Sequence, residues 1–172
     1  MKITDDFANA IFVKLFRHLP WLASQWAKRR RFVEGRDIPW APLTKPLPES
    51  VLALVTTAGV HCKSHEPFDM DDPDGDPSFR AIPTDIRNGD LTITHKYYDH
   101  SDADRDINVV LPIDRMRELV AEKRIGGLAP VAYGFMGHID GPHVRTLTEN
   151  TAPAVARRLK ADRADAVLLT PA

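Results

Sequence analysis

The run Val51-Leu52-Ala53-Leu54-Val55-Thr56-Thr57 decides the fold. Its residues are apolar or β-branched, with no polar alternation. That pattern belongs to a strand covered on both faces, as in the parallel sheet of an α/β domain. Ala58-Gly59 interrupts it, and Val60-His61-Cys62 follows. A buried strand that runs into a glycine turn and then into polar side chains is the layout of an α/β site. A second run of the same character, Asp165-Ala166-Val167-Leu168-Leu169-Thr170, closes the chain. Both runs are expected as central parallel strands.

The segments between them alternate in kind. Phe79–Pro83 reads as a weak strand and Leu91-Thr92-Ile93-Thr94 as a better one. Ser101-Asp102-Ala103-Asp104 fits a capping box with Asp in place of Glu and starts a turn of helix. Pro112 opens the next helix, where its missing N–H costs nothing. Ile113, Met116, Leu119 and Val120 form the buried stripe of that helix, and Gly126-Gly127 ends it. Gly134, Gly137 and Gly141 mark close backbone approaches. A last helix is expected from about Thr151 to Asp162, with Pro153 in its first turn and Val155, Ala156 and Leu159 facing inward. This order predicts an α/β fold with a Rossmann-like, mostly parallel sheet that is incomplete at the C-terminus.

Upstream, residues 4–18 carry Phe7, Ile11, Leu15 and Leu19 at helical spacing, and residues 21–33 carry Trp21, Leu22 and Trp26. Pro20 separates the two stretches and Gly35 ends the second. The domain reading is therefore an N-terminal helical extension over 1–35 and an α/β domain over 36–172. The extension is read as packing on the domain or on a second subunit. The sharper alternative, a membrane-surface helix with arginines above aromatics, is not preferred, because an amphipathic stripe is usually core.

Composition narrows the function. With 172 residues, 43% hydrophobic and 27% charged, the chain is of single-domain size. The lone cysteine, Cys62, rules out an intramolecular disulfide framework and favours a reducing cytoplasm. No apolar run approaches the ~20 residues of a membrane span. The formal net charge of -1 lends no support to nucleic-acid binding. The charge is nonetheless uneven: residues 1–36 are basic, with Lys28-Arg29-Arg30-Arg31 densest, and residues 66–106 are acidic. Neither a P-loop nor a GxGxxG fingerprint occurs.

The densest chemistry lies from His95 to Asn108, where two histidines and four carboxylates fall within fourteen residues just after a strand. Three readings of it stand. Imidazole and carboxylate suit a zinc or iron site. His100 with Asp99 or Asp102 suits acid–base chemistry. A helix start whose first turn carries carboxylates, favoured by the macrodipole, needs no function at all. A calcium loop over Asp102, Asp104, Asp106 and Asn108 fails, because Ile107 stands where glycine is needed and Ile113 where glutamate is needed. His61-Cys62-Lys63-Ser64-His65 also admits two readings. Cys62 is either a thiolate activated by its neighbours or a small apolar filler, the second being preferred. His138 and His143, flanking Gly141-Pro142, are weak signals.

Several stretches together resemble the glycine/sarcosine/betaine reductase selenoprotein B family, which includes a D-proline reductase subunit. The matching residues are Leu54–His61, Gly75-Asp76-Pro77-Ser78-Phe79-Arg80, Tyr98-Asp99-His100-Ser101-Asp102-Ala103 and Asp106-Ile107-Asn108 with Leu111-Pro112-Ile113-Asp114-Arg115. Phe135-Met136-Gly137, Thr151-Ala152-Pro153 and Ala164–Pro171 also match. The resemblance implies reductive cleavage of a C–N bond in an amino acid or amine, with thiols as electron source. It further implies a selenocysteine or cysteine nucleophile just after the last strand, hence beyond Ala172, so no catalytic nucleophile is expected within the chain. A recoded UGA codon read as stop is the expectation for that end of the sequence. Other reductase subunits and a thiol-reducing system such as thioredoxin are the implied partners, in an oligomer. The alternative is a non-catalytic binding or scaffold subunit. His61, Asp99, His100, Asp102, Asp106 and Asn108 are the candidate site residues. His61 and the Asp99–Asp106 segment are expected to converge at the carboxyl ends of the strands, with His100 and Asp102 orienting substrate or a partner's reactive group.

Overall fold

The computed structural model describes residues 40–172 and, before them, positions 15, 19, 21, 24, 25 and 28. The helices expected over 4–18 and 21–33 otherwise lie outside the described residues. Lys96–Asp99 groups with the chain preceding Leu43 as one unit. Leu43–His95 with His100–Ala172 forms the other. The second unit holds the fold and the site.

β1 (Val51–Thr56) is the centre of the main sheet. On one side it pairs in parallel first with β5 (Gly127–Leu128) and then with β6 (Val131–Phe135), a single interrupted edge broken at Ala129-Pro130. On its other side it pairs in parallel, over five residues, with β7 (Ala166–Thr170). β3 (Phe79–Pro83) adds to β6 antiparallel. The sheet is thus mostly parallel and mixed α/β, as the two apolar runs indicate. A separate antiparallel pair, β2 (Val60–Cys62) with β4 (Leu91–Ile93), carries the chain away from the end of β1.

Four helices follow in sequence: α1 (Ser101–Arg105), α2 (Ile113–Ala121), α3 (His143–Thr146) and α4 (Ala152–Ala161). A π-helical turn at Leu147–Thr151 joins α3 to α4. One face of the sheet presents Ala53, Val55, Tyr133 and Phe135, which pack with Val155 and Leu159 of α4. Leu54, Ile82 and Ala132 take the opposite pleat and are fully buried, as are Leu111 and Ile113. This is the two-sided burial that the unbroken apolar run of β1 requires.

Four local expectations are corrected. β7 is parallel to β1 but is not a central buried strand: among the described residues it pairs with β1 alone. Val167, Leu168 and Leu169 are 41, 40 and 68% exposed. Its apolar composition reports what the strand could bury, and the core cluster under α4 takes in residues of β1, β3 and β6 and none of β7. Ala156 points outward; the inward positions of α4 are Val155 and Leu159, one helical turn apart. Ser101 does not cap α1. His100 occupies that position without a side-chain cap, because its imidazole is engaged elsewhere. Finally, α2 ends before the glycine pair. Lys123 takes the left-handed φ of 58° after the last turn, and Gly127 already belongs to β5.

Glycines set the close approaches at the carboxyl edge. A Cβ on Gly134 would lie 2.1 Å from the Val60 carbonyl oxygen, so only glycine lets β2 cross β6 there. Gly137, at φ +91°, stands equally close to Thr57, where a Cβ would be 2.3 Å from the carbonyl oxygen. Glycine at these points holds the ends of β1 and β6 together.

Candidate active site

The parallel strands β1, β6 and β7 all finish at one edge. Backbone bonds stitch that edge to the small sheet: Gly59 N–H donates to Phe135 O at 2.9 Å and Thr94 N–H to Gly59 O at 2.9 Å. His95 follows directly. It is largely buried, and its ring donates to the carbonyl of Met136 at the end of β6. Burial, with His138 and His100 adding positive charge nearby, pushes its pKa down to about 4. His95 is therefore a neutral imidazole at neutral pH.

His100 and His138 complete the group. His100 Nδ1 lies 2.7 Å from Asp104 Oδ2, four residues on along α1, a spacing that puts both on one helical face. The carboxylate only accepts, so Nδ1 carries the proton. His138 Nε2 donates to Pro73 O at 3.0 Å. The acidic loop is fastened beside it. Asp140 N–H bonds Asp74 O at 2.8 Å, Gly75 bridges Ile139, and His143 Nε2 lies 2.9 Å from Asp72 Oδ2. That last bond holds the Asp72 carboxyl below its ordinary pKa. Ala172 N–H, past the end of β7, donates to Thr57 Oγ1 at 3.3 Å. Gly137 packs against the same threonine. The ends of all three parallel strands therefore meet around Thr57, Met136 and Gly137.

The sequence candidates occupy different places. His61 is 2% exposed in β2. Nδ1 donates to the Cys62 carbonyl at 2.8 Å, which leaves Nε2 to accept from Thr94 Oγ1 at 2.7 Å. Phe68 packs edge-on against the ring, and burial lowers its pKa. His61 is a neutral strut under Thr94, one residue from His95. Asp99 falls in Lys96–Asp99, within the other unit. Asp102 is solvent-exposed and paired with Arg105 at 3.1 Å. Asp106 accepts from Asn108 N–H at 3.0 Å and caps the 3-10 turn Ile107–Val109. Asn108 Oδ1 in turn accepts from Asp114 N–H at 3.0 Å in the first turn of α2. Those two residues build a helix start rather than a reacting centre. Asp114 extends the network to Arg117, whose guanidinium holds the Thr84 and Ile86 carbonyls.

Sequence spacing singled out neither His95 nor His138 as a site residue. They are 43 positions apart, one after β4 and one after β6, and each follows a strand within three residues. Cys62, the single thiol, is 5% exposed, and burial raises its pKa. It is the apolar filler of the two readings, not an activated thiolate. Among the described residues no group of three or more His, Cys, Asp or Glu is arranged to hold a metal ion. Among them too, no helix is long and apolar enough to cross a membrane.

Comparison with known proteins adds to this geometry. A family model described as glycine/sarcosine/betaine reductase selenoprotein B matches residues 31–172. The chain is 46% identical over 131 residues to the D-proline reductase subunit gamma of Acetoanaerobium sticklandii, covering 76% of this chain and 52% of the relative. It is 32% identical over 137 residues to the glycine reductase complex component B subunit gamma of Carboxydothermus hydrogenoformans, covering 77% and 30%. The chain thus spans about half the length of the first of these curated relatives and less of the second. No solved structure matches it.

Proposed function

Because the chain belongs to the glycine/sarcosine/betaine reductase selenoprotein B family, we propose that it forms part of a complex that reductively cleaves the C–N bond of an amino acid. In this reading a selenolate or thiolate attacks the carbon bearing nitrogen, the C–N bond breaks, and the amine leaves with a proton. A second thiol then attacks the selenium or sulfur of the adduct. The carbon takes the bonding pair and a proton, and a disulfide or selenosulfide is left for a thioredoxin-type reductant to reopen. The nucleophile comes from outside these 172 residues, since Cys62 is buried with its thiol pKa raised. The α/β domain over 36–172 supplies the edge at which the substrate reacts, and residues 1–35 serve contacts with other reductase subunits in an oligomer. Cytoplasmic residence fits a chain whose single cysteine has no second one to pair with. The higher identity to the relative named for D-proline favours a proline-type substrate over glycine.

The observation that carries the reading is the histidine group His95, His100 and His138 at the common carboxyl edge of β1, β6 and β7. Departure of an amine needs a proton. His100, whose Nδ1–H is held by Asp104, is suited to deliver it from Nε2 when both ring nitrogens carry a proton. His95, neutral and held by Met136, is suited to accept a hydrogen bond from the substrate. Asp102 serves the approach of a partner's reactive group, and His61, Asp106 and Asn108 hold the scaffold of the site.

The lone buried thiol favours a second reading as well, a binding or scaffold subunit without chemistry of its own. Reconstitution of the complete complex separates the two. His100→Ala is expected to lower kcat for amine release by about a hundredfold, within the range for loss of a general acid. An unchanged rate removes His100 from the chemistry and leaves the scaffold reading.

A further inference from the structure

β3 is an outermost strand of the main sheet: among the described residues it pairs with β6 alone. The register fixes which of its backbone groups that pairing uses. Thr84 N–H donates to Pro130 O at 2.9 Å, one step beyond the ladder in which Arg80 faces Gly134 and Ile82 faces Ala132. Bonded and non-bonded pairs alternate along an antiparallel ladder. Arg80 and Ile82 therefore turn N–H and C=O toward β6, and Phe79 and Ala81 turn theirs out of the sheet. Phe79 O accepts from Arg80 Nη1 at 3.3 Å. The Ala81 N–H and C=O make no hydrogen bond among the described residues. Pro83, which has no N–H, closes the row.

An open cleft of about 530 Å³ lies beside these groups, with Phe79 and Ala81 among its lining residues. Arg158 of α4 forms one wall. Its guanidinium carbon stands 5.1 Å from the centre of the Phe79 ring, and it donates to the Tyr133 hydroxyl, so this exposed side chain is held against the strand. No ion pair engages Arg158 among the described residues. Ser64, His65 and Glu66 form another wall, where His65 Nδ1 is buried without a hydrogen bond among the described residues. Arg80 also lines the cleft but is already engaged. Its Nε and Nη2 hold the Glu66 and Pro67 carbonyls at 2.8 and 2.9 Å, and Asp76 lies 3.8 Å away. The cleft thus offers one unpaired cation beside a free strand edge, with an acidic residue in its other wall.

We propose that this cleft docks an extended segment of a partner protein, added as a further strand on the outer edge of β3, with a single Glu or Asp side chain on Arg158. The backbone supplies the attachment: Ala81 exchanges N–H and C=O bonds with the incoming chain, as in other strand additions. Charge complementarity supplies the selectivity. A polyanion such as a nucleic acid needs a run of free cations, whereas here one arginine is unpaired and Glu66 repels further negative charge. Side chains of an added strand alternate between the faces of the sheet. Those level with Phe79 and Ala81 lie on the α4 face, where both residues border the core cluster and Arg158 stands. Alternate residues of the segment face Ser64 and Glu66, a wall suited to hydroxyl side chains. The docking needs no turnover and stands apart from the reductase reading.

The probe is a fluorescently labelled heptapeptide, Thr-Val-Thr-Glu-Thr-Val-Thr, titrated with the full chain by anisotropy. The same peptide with Lys in place of Glu is expected to bind at least tenfold more weakly. Arg158→Glu is expected to reverse that preference, so that the Lys peptide becomes the tighter ligand; a variant that had merely misfolded would bind neither. Arg157→Glu makes the same change of net charge at the neighbouring exposed position and should leave binding within twofold. N-methylation of alternate peptide amides should abolish binding for one alternate set and leave it within twofold for the other, because only one set meets the β3 edge. Equal binding of the Glu and Lys peptides, no reversal in a folded Arg158→Glu chain, or equal effects of the two methylated sets overturns the proposal. A single-stranded oligonucleotide that binds as tightly as the Glu peptide, or dimers of the chain that Arg158→Glu dissociates, overturns it in favour of another occupant.

Discussion

Gly137→Ala is the sharpest probe of how the strand ends are held together. Two costs arise at this position. The φ of +91° lies where an L-residue pays at least the ~1–2 kcal/mol of left-handed backbone. The new Cβ would also sit 2.3 Å from the Thr57 carbonyl oxygen, about 1 Å inside the 3.4 Å at which ordinary contact begins. The contact is backbone, not the flexible tip of a side chain, so β1 and β6 must part there. Together these give a loss of about 3 kcal/mol, a large fraction of a typical ~5–15 kcal/mol total. With a urea slope of about 2 kcal/mol per molar, the unfolding midpoint falls by about 1.5 M. Gly89→Ala is the control, since a Cβ at Gly89 meets nothing within 4 Å and φ there is not positive. It should leave the midpoint unchanged or raise it slightly. Urea unfolding followed by circular dichroism measures both. A Gly137→Ala midpoint within ~0.2 M of the parent, at an unchanged slope, refutes the argument that the glycine is required by a close approach.

The histidine group gives a pH prediction. His95 has a folded pKa near 4 against 6.5 for an unperturbed imidazole, so the unfolded chain binds its proton first as pH falls. Stability from this residue is full above about pH 6.5 and declines toward pH 4. NMR should show His95 neutral at pH 5.5, and His95→Gln should flatten the decline; an imidazole titrating near 6.5 in the folded chain contradicts the buried placement. At the sheet edge, Leu169→Lys changes a side chain that is 68% exposed. It should alter stability by less than ~0.5 kcal/mol while reducing self-association of the isolated chain by light scattering. A large fall in melting temperature would mean that Leu169 is packed.

The apolar run of β1 was legible as a strand because burial on both faces leaves a continuous signature in adjacent residues. Helix α2 was legible for the same local reason, with Ile113 and Met116 at helical spacing and Pro112 before them. The residues His95 to Asn108 could be seen to be rich in chemistry, yet not sorted. Which of them bonds its own backbone and which faces a cavity depends on the turn adopted, and Asp106 and Asn108 turned out to cap helices. His95 bonds the Met136 carbonyl, two residues before His138, only because Gly59, Gly134 and Gly137 let the ends of β1, β2 and β6 pack closely. β7 shows the converse. Val167, Leu168 and Leu169 say in sequence that the strand is fit to be buried. Burial, however, is a property of the neighbours a strand acquires, and in this chain α4 covers β1 and β6 and leaves β7 at the edge. Local pattern determined the elements, because hydrogen bonding and side-chain periodicity are local. The site and the exposure of each face were decided by tertiary structure, because proximity between distant residues is set by packing.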